Sequence, residues 1–546
     1  MVEDLPTGYY LENFNFLLDF VSQNYTDVLS EPELAYRNKF LKLSLDAQRL
    51  YVRLAGRRGP LFRVDKLVYD EIDCIPAAAT ELTLAGLLNS PAESEIQDFL
   101  SLIVKQELID LFEGTDKKLS RTELDKFVQD TYTSEQVTER LPFQIVEPLG
   151  KDYLQVYKLL FFGNLHQDFT TFVLRDLGIS PYENYVMDSS ARYFDERSVV
   201  DGVLQSYALR EASRLILEEA DEELLAEFYI RELQPIKVNE VRLLRRYSRI
   251  FNTVARQFER YGRDVEALDL YEKSSESPAR ERRSRIHEKL GDTGRAIEIC
   301  REMHALPLDE AESEFAVKFS TRLSRRHKLM TDWMPQLLKE DFELRQISVD
   351  KDPENSVEMS ACRWFVEQGE DARYVENGLL SGLFGLYFWG IIFAPVKGAF
   401  FNPFQRGPAD LFSPEFKITR QSLIEAHLKE MTLGSTLVDT VNRNFSDKLN
   451  MANHFVNWRW LDQELLDLSL ERIPVAHLKA IFERILRDTR NNRSGFPDLI
   501  VFPNEGGYCL SEIKGPGDKL QDNQRRWFRL FAENDIPANI VNVIWQ

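Results

Sequence analysis

Apolar positions recur at helical spacing through the first part of the chain. In Glu31–Leu43 they are Leu34, Phe40, Leu41 and Leu43, and in Ser44–Ala55 they are Leu45, Leu50, Val52 and Leu54. Two helices are predicted there, the second capped by Ser44 and stopped by Gly56. Ser94–Phe112 and Ser120–Tyr132 predict two more. Ser94 is placed as a cap ahead of Glu95 and Asp98, and Ser120-x-x-Glu123 as a capping box. The stretch from Leu141 to Met187 mixes aromatic and polar residues and supports no assignment. From Val203 the helical period returns. Tyr261–Lys273 and Leu290–Glu302 echo one another, each with a glycine followed five residues later by alanine (Gly262 and Ala267, Gly291 and Ala296). Glycine lets the chain turn between helices, and alanine lets them approach closely.

The pattern changes after residue 345. Gly378–Pro395 carries no ionisable side chain except Tyr387, which predicts a helix buried all round inside a domain. A membrane span is excluded because the run is solitary, glycine-rich and lacks flanking basic asymmetry. Helices are predicted around Arg420–Glu430, Ser435–Lys448, Arg459–Leu470 and Val475–Arg487. The end of the chain reads strand, strand, helix, strand: Leu499–Phe502, a strand closing in Glu512-Ile513-Lys514, Lys519–Asn534 and Ala538–Trp545.

A chain of 546 residues exceeds one core. The expected division is a basic helical DNA-binding domain over 1–140, a helical repeat region over 141–345 and an α/β domain over 346–546, mainly α overall. The net charge of -21 argues against a nucleic-acid partner on average, but binding responds to local fields. From Arg37 to Lys66, nine basic residues (Arg37, Lys39, Lys42, Arg49, Arg53, Arg57, Arg58, Arg63, Lys66) face only Asp46 and Asp65. With Tyr51 and Phe62 interleaved, this span suits a duplex backbone, with Arg49, Arg53, Arg57, Arg58, Arg63 and Lys66 as its contacts. The alternative is a solvated charged face. Arg245 and Arg249 share a helix face and either track phosphates or pair with nearby acids. Cys74, Cys300, Cys362 and Cys509 show no metal-ligand or disulfide spacing, which fits a reducing compartment. The acidic N-terminus is not a secretory signal, and a cytoplasmic, nucleoid-associated location is expected.

The chemistry concentrates in Gly495–Lys514, GFPDLIVFPNEGGYCLSEIK. Asp498 precedes one strand, Glu512 lies on the next, and Lys514 shares the Glu512 face because strand side chains alternate. Two carboxylates and an amine are the parts needed to hold a hard divalent cation and activate a water. This is the PD…ExK pattern of restriction-type nucleases. Glu505 lies in the turn, Asp518 and Asp522 lie beyond the strand, and His427, His454 and His477 read as packing or surface residues.

GFPDLIVF, EIKGPGDKL and the Gln524-x-x-Trp527 helix resemble the virus-type replication-repair nuclease (VRR-NUC) domain, a restriction-endonuclease-like fold. Glu376 ahead of FGLYFWGIIF, with the basic and repeat-like regions, resembles the Fanconi-associated nucleases in their shorter bacterial form. The echoing helices resemble tetratricopeptide repeats. KKLSRTELDKFV and VKQELIDLF resemble SAP-type DNA-binding helices, so the first domain is expected to be SAP- or winged-helix-like. The family resemblance implies that Glu376, Asp498, Glu512 and the Ile513 carbonyl bind Mg²⁺ or Mn²⁺, one or two ions per site. It implies that Lys514 orients or deprotonates the attacking water and that Gln524 supports the site. It also implies 5′ flap endonuclease and 5′→3′ exonuclease activity on branched or flapped DNA in interstrand crosslink repair. Eukaryotic members carry a ubiquitin-binding zinc finger, and this sequence has no CxxC pair for one. The competing readings are a non-cleaving DNA-binding repair scaffold and a nuclease for RNA or unbranched DNA.

Overall fold

The computed structural model describes all residues except 1–7, 58, 92–94, 168, 170–171, 173–180, 188–190, 328–332, 334–341, 353 and 433–434. The chain forms two compact units, Met1–Ser180 with Asp188–Ser190, and Pro181–Met187 with Ala191–Gln546. This division differs from the boundaries near 140 and 345 that the sequence predicts. Strand β3 (Ile145–Pro148) pairs antiparallel with both β1 (Phe62–Arg63) and β2 (Leu88–Asn89), which draws residues beyond 140 into the first unit.

In the first unit, helices run over Tyr9–Tyr25, Glu31–Leu41 and Leu45–Ala55. Ser44 caps the third, its hydroxyl accepting from the Ala47 N–H. Phe14, Phe40, Leu50 and Tyr51 are fully buried, and Phe14 packs on both Phe40 and Tyr51. Ser120 caps Arg121–Thr131 with the expected box. The single helix expected over Ser94–Phe112 is two, Ile96–Leu102 and Lys105–Leu111. The break at Ile103-Val104 lets buried Phe99, Ile103 and Leu108 reach one core that a straight helix would not serve. The Ser94 cap lies outside the described residues.

In the second unit, after the Arg197–Glu219 and Glu222–Phe228 helices, five helices each pack on the next: Val241–Tyr261, Asp264–Lys273, Ala279–Lys289, Thr293–Ala305 and Glu310–His327. The two echoing glycines sit where helices end, in the left-handed region at φ 79° and 84°, and Ala267 and Ala296 are fully buried. The middle region is helical, as expected.

The rest of the unit is built on a five-stranded sheet of order β4-β8-β7-β6-β5. β4 (Leu344–Val349) and β7 (Cys509–Lys514) run parallel to β8 (Ala538–Trp545), while β6 (Leu499–Phe502) is antiparallel to β7 and to β5 (Asp371–Tyr374). Leu499, Val501, Ile513 and Val541 pack on one face with the Val357–Glu367 helix. Ile500, Phe502, Leu510 and Ile540 belong to the larger core on the other. The apolar run after Glu376 lies in that larger core as two short helices, Leu379–Tyr387 and Trp389–Ile392, rather than one. Among the described residues no helix is long and apolar enough to cross a membrane.

Candidate active site

Three segments distant in sequence meet at one end of the sheet. The Asp498 carbonyl accepts from the backbone N–H of Val375 (2.8 Å) and of Glu376 (3.0 Å), which fixes the end of β5 beside the start of β6. The strand register, continued by one residue, sets Asp498 between Val375 and Glu512. Asn377 completes the tie. Its Oδ1 accepts from Gly495 N–H (2.8 Å), and its Nδ2 donates to Glu376 Oε1 (3.1 Å). Gly495 has φ 84°, and a Cβ there would come within 2.6 Å of Asn523 Nδ2, so glycine is required at this crossing. Glu376 itself has φ 28°, a strained position for a side-chain-bearing residue that the surrounding hydrogen bonds hold in place.

The acids differ in setting. Glu376 is exposed and accepts from the Tyr374 hydroxyl at 2.6 Å. Asp498 is half-buried, its Oδ2 accepting from Ile513 N–H at 2.8 Å. Glu512 is 1% exposed. Its Oε1 meets Lys514 Nζ at 2.8 Å and also accepts from Gln524 Nε2. Gln524 Oε1 in turn accepts from Lys514 Nζ at 3.2 Å, so carboxylate, amine and amide form a closed set. Glu512 Oε2 is buried and has no hydrogen-bond partner among the described residues.

Burial pushes the Asp498 carboxyl up to about 6, and neighbouring Glu358 and Glu376 add to the effect against Ile513 N–H and Lys514. Burial likewise pushes Glu512 up to about 7, with the Asp498 charge the next cause. Lys514 offsets only part of this. Such a site holds more negative charge than its own cation neutralises.

The donor set fits a hard divalent cation: carboxylate oxygens, one buried and open, in a cluster short of positive charge. Among the described residues no three acidic, histidine or cysteine side chains already converge as a finished ligand cage. Glu376 is instead turned onto Tyr374 and Asn377. Asp498, Glu512, Lys514 and Gln524 are thus brought together as expected from sequence, with the Glu376 backbone tied to Asp498.

Sequence reading missed Glu358. It lies in the first turn of the Val357–Glu367 helix, after the Ser356 cap, and its charge bears on both Asp498 and Glu512. The cap followed by an acid was the available signal.

The basic residues of the first unit divide sharply. Arg63 is buried, paired with Asp65 (2.8 Å) and Glu107 (2.6 Å) and lying 3.5 Å over the Phe143 ring. Arg53 pairs with Glu71 at 2.6 Å and covers Tyr10. Arg49 donates to the Glu71 carbonyl and lies 3.8 Å from Asp46. These three hold the unit together. Arg57 and Lys66 are exposed, Arg57 donating to the Tyr69 hydroxyl. Arg58 lies outside the described residues. The excess of +7 in the local sequence is therefore partly neutralised by Glu71 and Glu107, which the span itself does not contain.

In the second unit, Arg245 pairs with Glu276 (3.3 Å) and Glu415 (3.0 Å). Arg249 has no acidic partner within ion-pair distance among the described residues. Partial burial and the nearby Arg490 charge hold its guanidinium below its ordinary value, with Arg246 and Arg245 adding to them and Glu276 opposing. Arg249 and Arg490 form a cation-rich spot on the same unit as the acids.

A sheet that carries PD ahead of one strand and ExK on the next, backed by a glutamine from the following helix, is that of a PD-(D/E)xK nuclease. The VRR-NUC domain matches residues 435–545, and the FAN1 HTH domain matches residues 8–89. Glu376 and Glu358 lie outside both. The chain is 35% identical over 552 residues to the Fanconi-associated nuclease 1 homolog of Pseudomonas aeruginosa, covering 98% of this chain and 96% of that protein. It is 24% identical to the Arabidopsis thaliana homolog, covering 98% of this chain and 67% of that protein. The crystal structure of paFAN1 bound to DNA with a 2-nucleotide 5′ flap and a gap superposes with a TM-score of 0.87 at 34% identity, covering 100% of both chains. The complex with a 1-nucleotide flap gives 0.85 at 33% identity, covering 98% of this chain and 99% of that one. The chain belongs to the Fanconi-associated nuclease 1 family.

Proposed function

We propose that this chain is a divalent-metal-dependent DNA nuclease that cuts at 5′ flaps, degrades DNA 5′→3′ and serves interstrand crosslink repair from the cytoplasm or nucleoid. One observation carries the chemistry: the buried Glu512 with an open oxygen, set beside Asp498 and clasped by Lys514 and Gln524. Glu376, Asp498, Glu512 and the Ile513 carbonyl would hold Mg²⁺ or Mn²⁺, one or two ions. When bound, the metal supplies Lewis-acid stabilisation of charge developing on the phosphate.

The protein's own groups do the rest. Lys514 orients the attacking water at the sheet edge, and it can take that water's proton only after passing its own to Glu512 Oε1, 2.8 Å away. Gln524 fixes the Lys514 amine and one Glu512 oxygen, leaving the other oxygen open. The flap preference is supported by the 5′ flap complexes of paFAN1 and by the match over the whole chain. In this reading the HTH unit contacts duplex, and Arg249 with Arg490 contacts phosphate.

The test is incision by purified protein on 5′ flap, 3′ flap, duplex, single-stranded DNA and RNA, each with Mn²⁺ and with EDTA. Mn²⁺-dependent cutting strongest on the 5′ flap is expected, and equal cutting of plain duplex would overturn the flap assignment. Charge reversal separates the arginine classes of the HTH unit. Arg57→Glu and Lys66→Glu are expected to weaken DNA binding and to lower its salt dependence by about one unit of slope each. Arg63→Glu is expected to unfold the unit instead, because it places a charge against Asp65 and Glu107. Arg249→Gln with Arg490→Gln is expected to weaken binding of DNA without altering the melting temperature, and unchanged affinity would remove that spot from the DNA path.

A further inference from the structure

Of the seven tryptophans, Trp460 is the most exposed among the described residues, at 46%. Its exposure is not looseness. The ring packs edge-on to Tyr374, with centroids 5.4 Å apart at 64°, and the backbone N–H of Trp460 donates to the Asn457 carbonyl at 3.0 Å. A Cβ added to Gly378 would sit 2.9 Å from the Trp460 Cβ, so the backbone leading into the Leu379–Tyr387 helix presses directly against this residue. Tyr374 in turn donates its hydroxyl to Glu376 at 2.6 Å. One phenol ring therefore separates a rigid, open indole from an acid of the active site. Arg459 beside it is exposed and has no acidic partner within ion-pair distance among the described residues.

We propose that Trp460 is a specificity-determining residue whose indole stacks on the unpaired nucleobase flanking the scissile phosphate, with Arg459 on that nucleotide's phosphate. The proposal rests on the nuclease reading of the site. An indole left open to water forgoes the stabilisation of burial. A base supplies a flat apolar partner of any sequence, and one next to a branch point is unstacked already, so its face is available at little cost. A base paired within continuous duplex offers no such face. The indole thereby favours substrates with a single-stranded nucleotide at the cut, independently of contacts made by the HTH unit.

The experiment places 2-aminopurine at each nucleotide flanking the cut in a 5′ flap DNA and measures its fluorescence on binding in EDTA, alongside incision kinetics in Mn²⁺. Stacking on Trp460 is expected to quench one position several-fold in the unaltered chain, to be kept by Trp460→Phe and lost in Trp460→Leu. Trp460→Leu is expected to raise KM for flap DNA by about tenfold, the usual scale for one base–aromatic stack, with kcat changed far less. Absence of quenching at every flanking position in the unaltered chain overturns the proposal, whether or not the leucine variant folds. So does quenching that survives Trp460→Leu. Failure of the nuclease reading shows separately, as absence of Mn²⁺-dependent incision by the unaltered chain.

Discussion

Asp498→Asn and Glu512→Gln are expected to make the metal-free protein more stable while reducing cleavage by at least about a thousandfold. The stability gain follows from the sign of the pKa shifts. Asp498 rises from 3.8 to about 6 and Glu512 from 4.5 to about 7 in the folded chain, burial being the main cause of both. Between the unfolded and folded values the folded protein binds more protons than the unfolded chain, so stability falls as pH rises through that window. Below the unfolded values both groups are protonated in both states, and the penalty is absent. Above about 7 it is fully present, on the order of 3 kcal/mol for Glu512. The neutral isosteres remove it. Denaturation in EDTA at about pH 8 is expected to show both variants more stable than the parent, with the gap closing by about pH 4. Added Mn²⁺ is expected to stabilise the parent and not the variants. Variants less stable than the parent at the higher pH would mean that these carboxylates are satisfied by the fold rather than held in readiness for a cation.

The second large effect lies outside the site. Glu314, on the Glu310–His327 helix, takes both Arg526 (3.1 Å through each oxygen) and Arg529 of the Asp522–Glu533 helix. Glu310, one turn earlier, takes buried Arg484 at 2.6 and 3.0 Å. Arg484 lies 4.7 Å over Trp527, whose indole donates to the Ser494 carbonyl at 3.0 Å and packs on Phe496. This clamp holds the helix that delivers Gln524 and the turn that delivers Asp498. Removing Glu314 leaves two largely buried guanidinium groups without their carboxylate, and loss of one partner of a buried pair costs about 3 kcal/mol. Glu314→Ala is expected to lose stability on that scale and to lower kcat with little change in KM, because DNA-contacting groups are untouched. The triple variant that also carries Arg526→Gln and Arg529→Gln is expected to recover most of the stability. Additive losses in the triple variant would show that the three residues do not act as one unit.

How much of this was legible in sequence follows from the range of each interaction. PD, ExK and Gln524 lie within about 30 residues, and the strand, strand, helix, strand order around them is the one observed. Gly262 and Gly291 announced turns because left-handed backbone has a local residue signature. β5 carried no comparable signal. Asp371–Tyr374 is four residues long, and its partner β6 begins more than a hundred residues later, beyond the whole helical insertion. The Val357–Glu367 helix did carry a local signal, the Ser356 cap followed by Glu358, but the closeness of Glu358 to Asp498 and Glu512 is set by the fold and not by its neighbours in sequence. The basic patch misled in part because Glu71 and Glu107, which neutralise Arg53 and Arg63, stand outside the segment whose charge was summed. Local charge density shows where cations are, and only the fold shows which are spent on structure.

In the proposed function, Asp498, Glu512 and Lys514 form a metal-dependent cutting site. The most direct test is single-turnover incision of a 5′ flap DNA in Mn²⁺ by the parent and by Lys514→Ala, with DNA binding and melting temperature measured on the same samples. Incision by the parent that EDTA abolishes, and that Lys514→Ala loses while still folding and binding DNA, is the expected result. Full Mn²⁺-dependent incision by folded Lys514→Ala would contradict it.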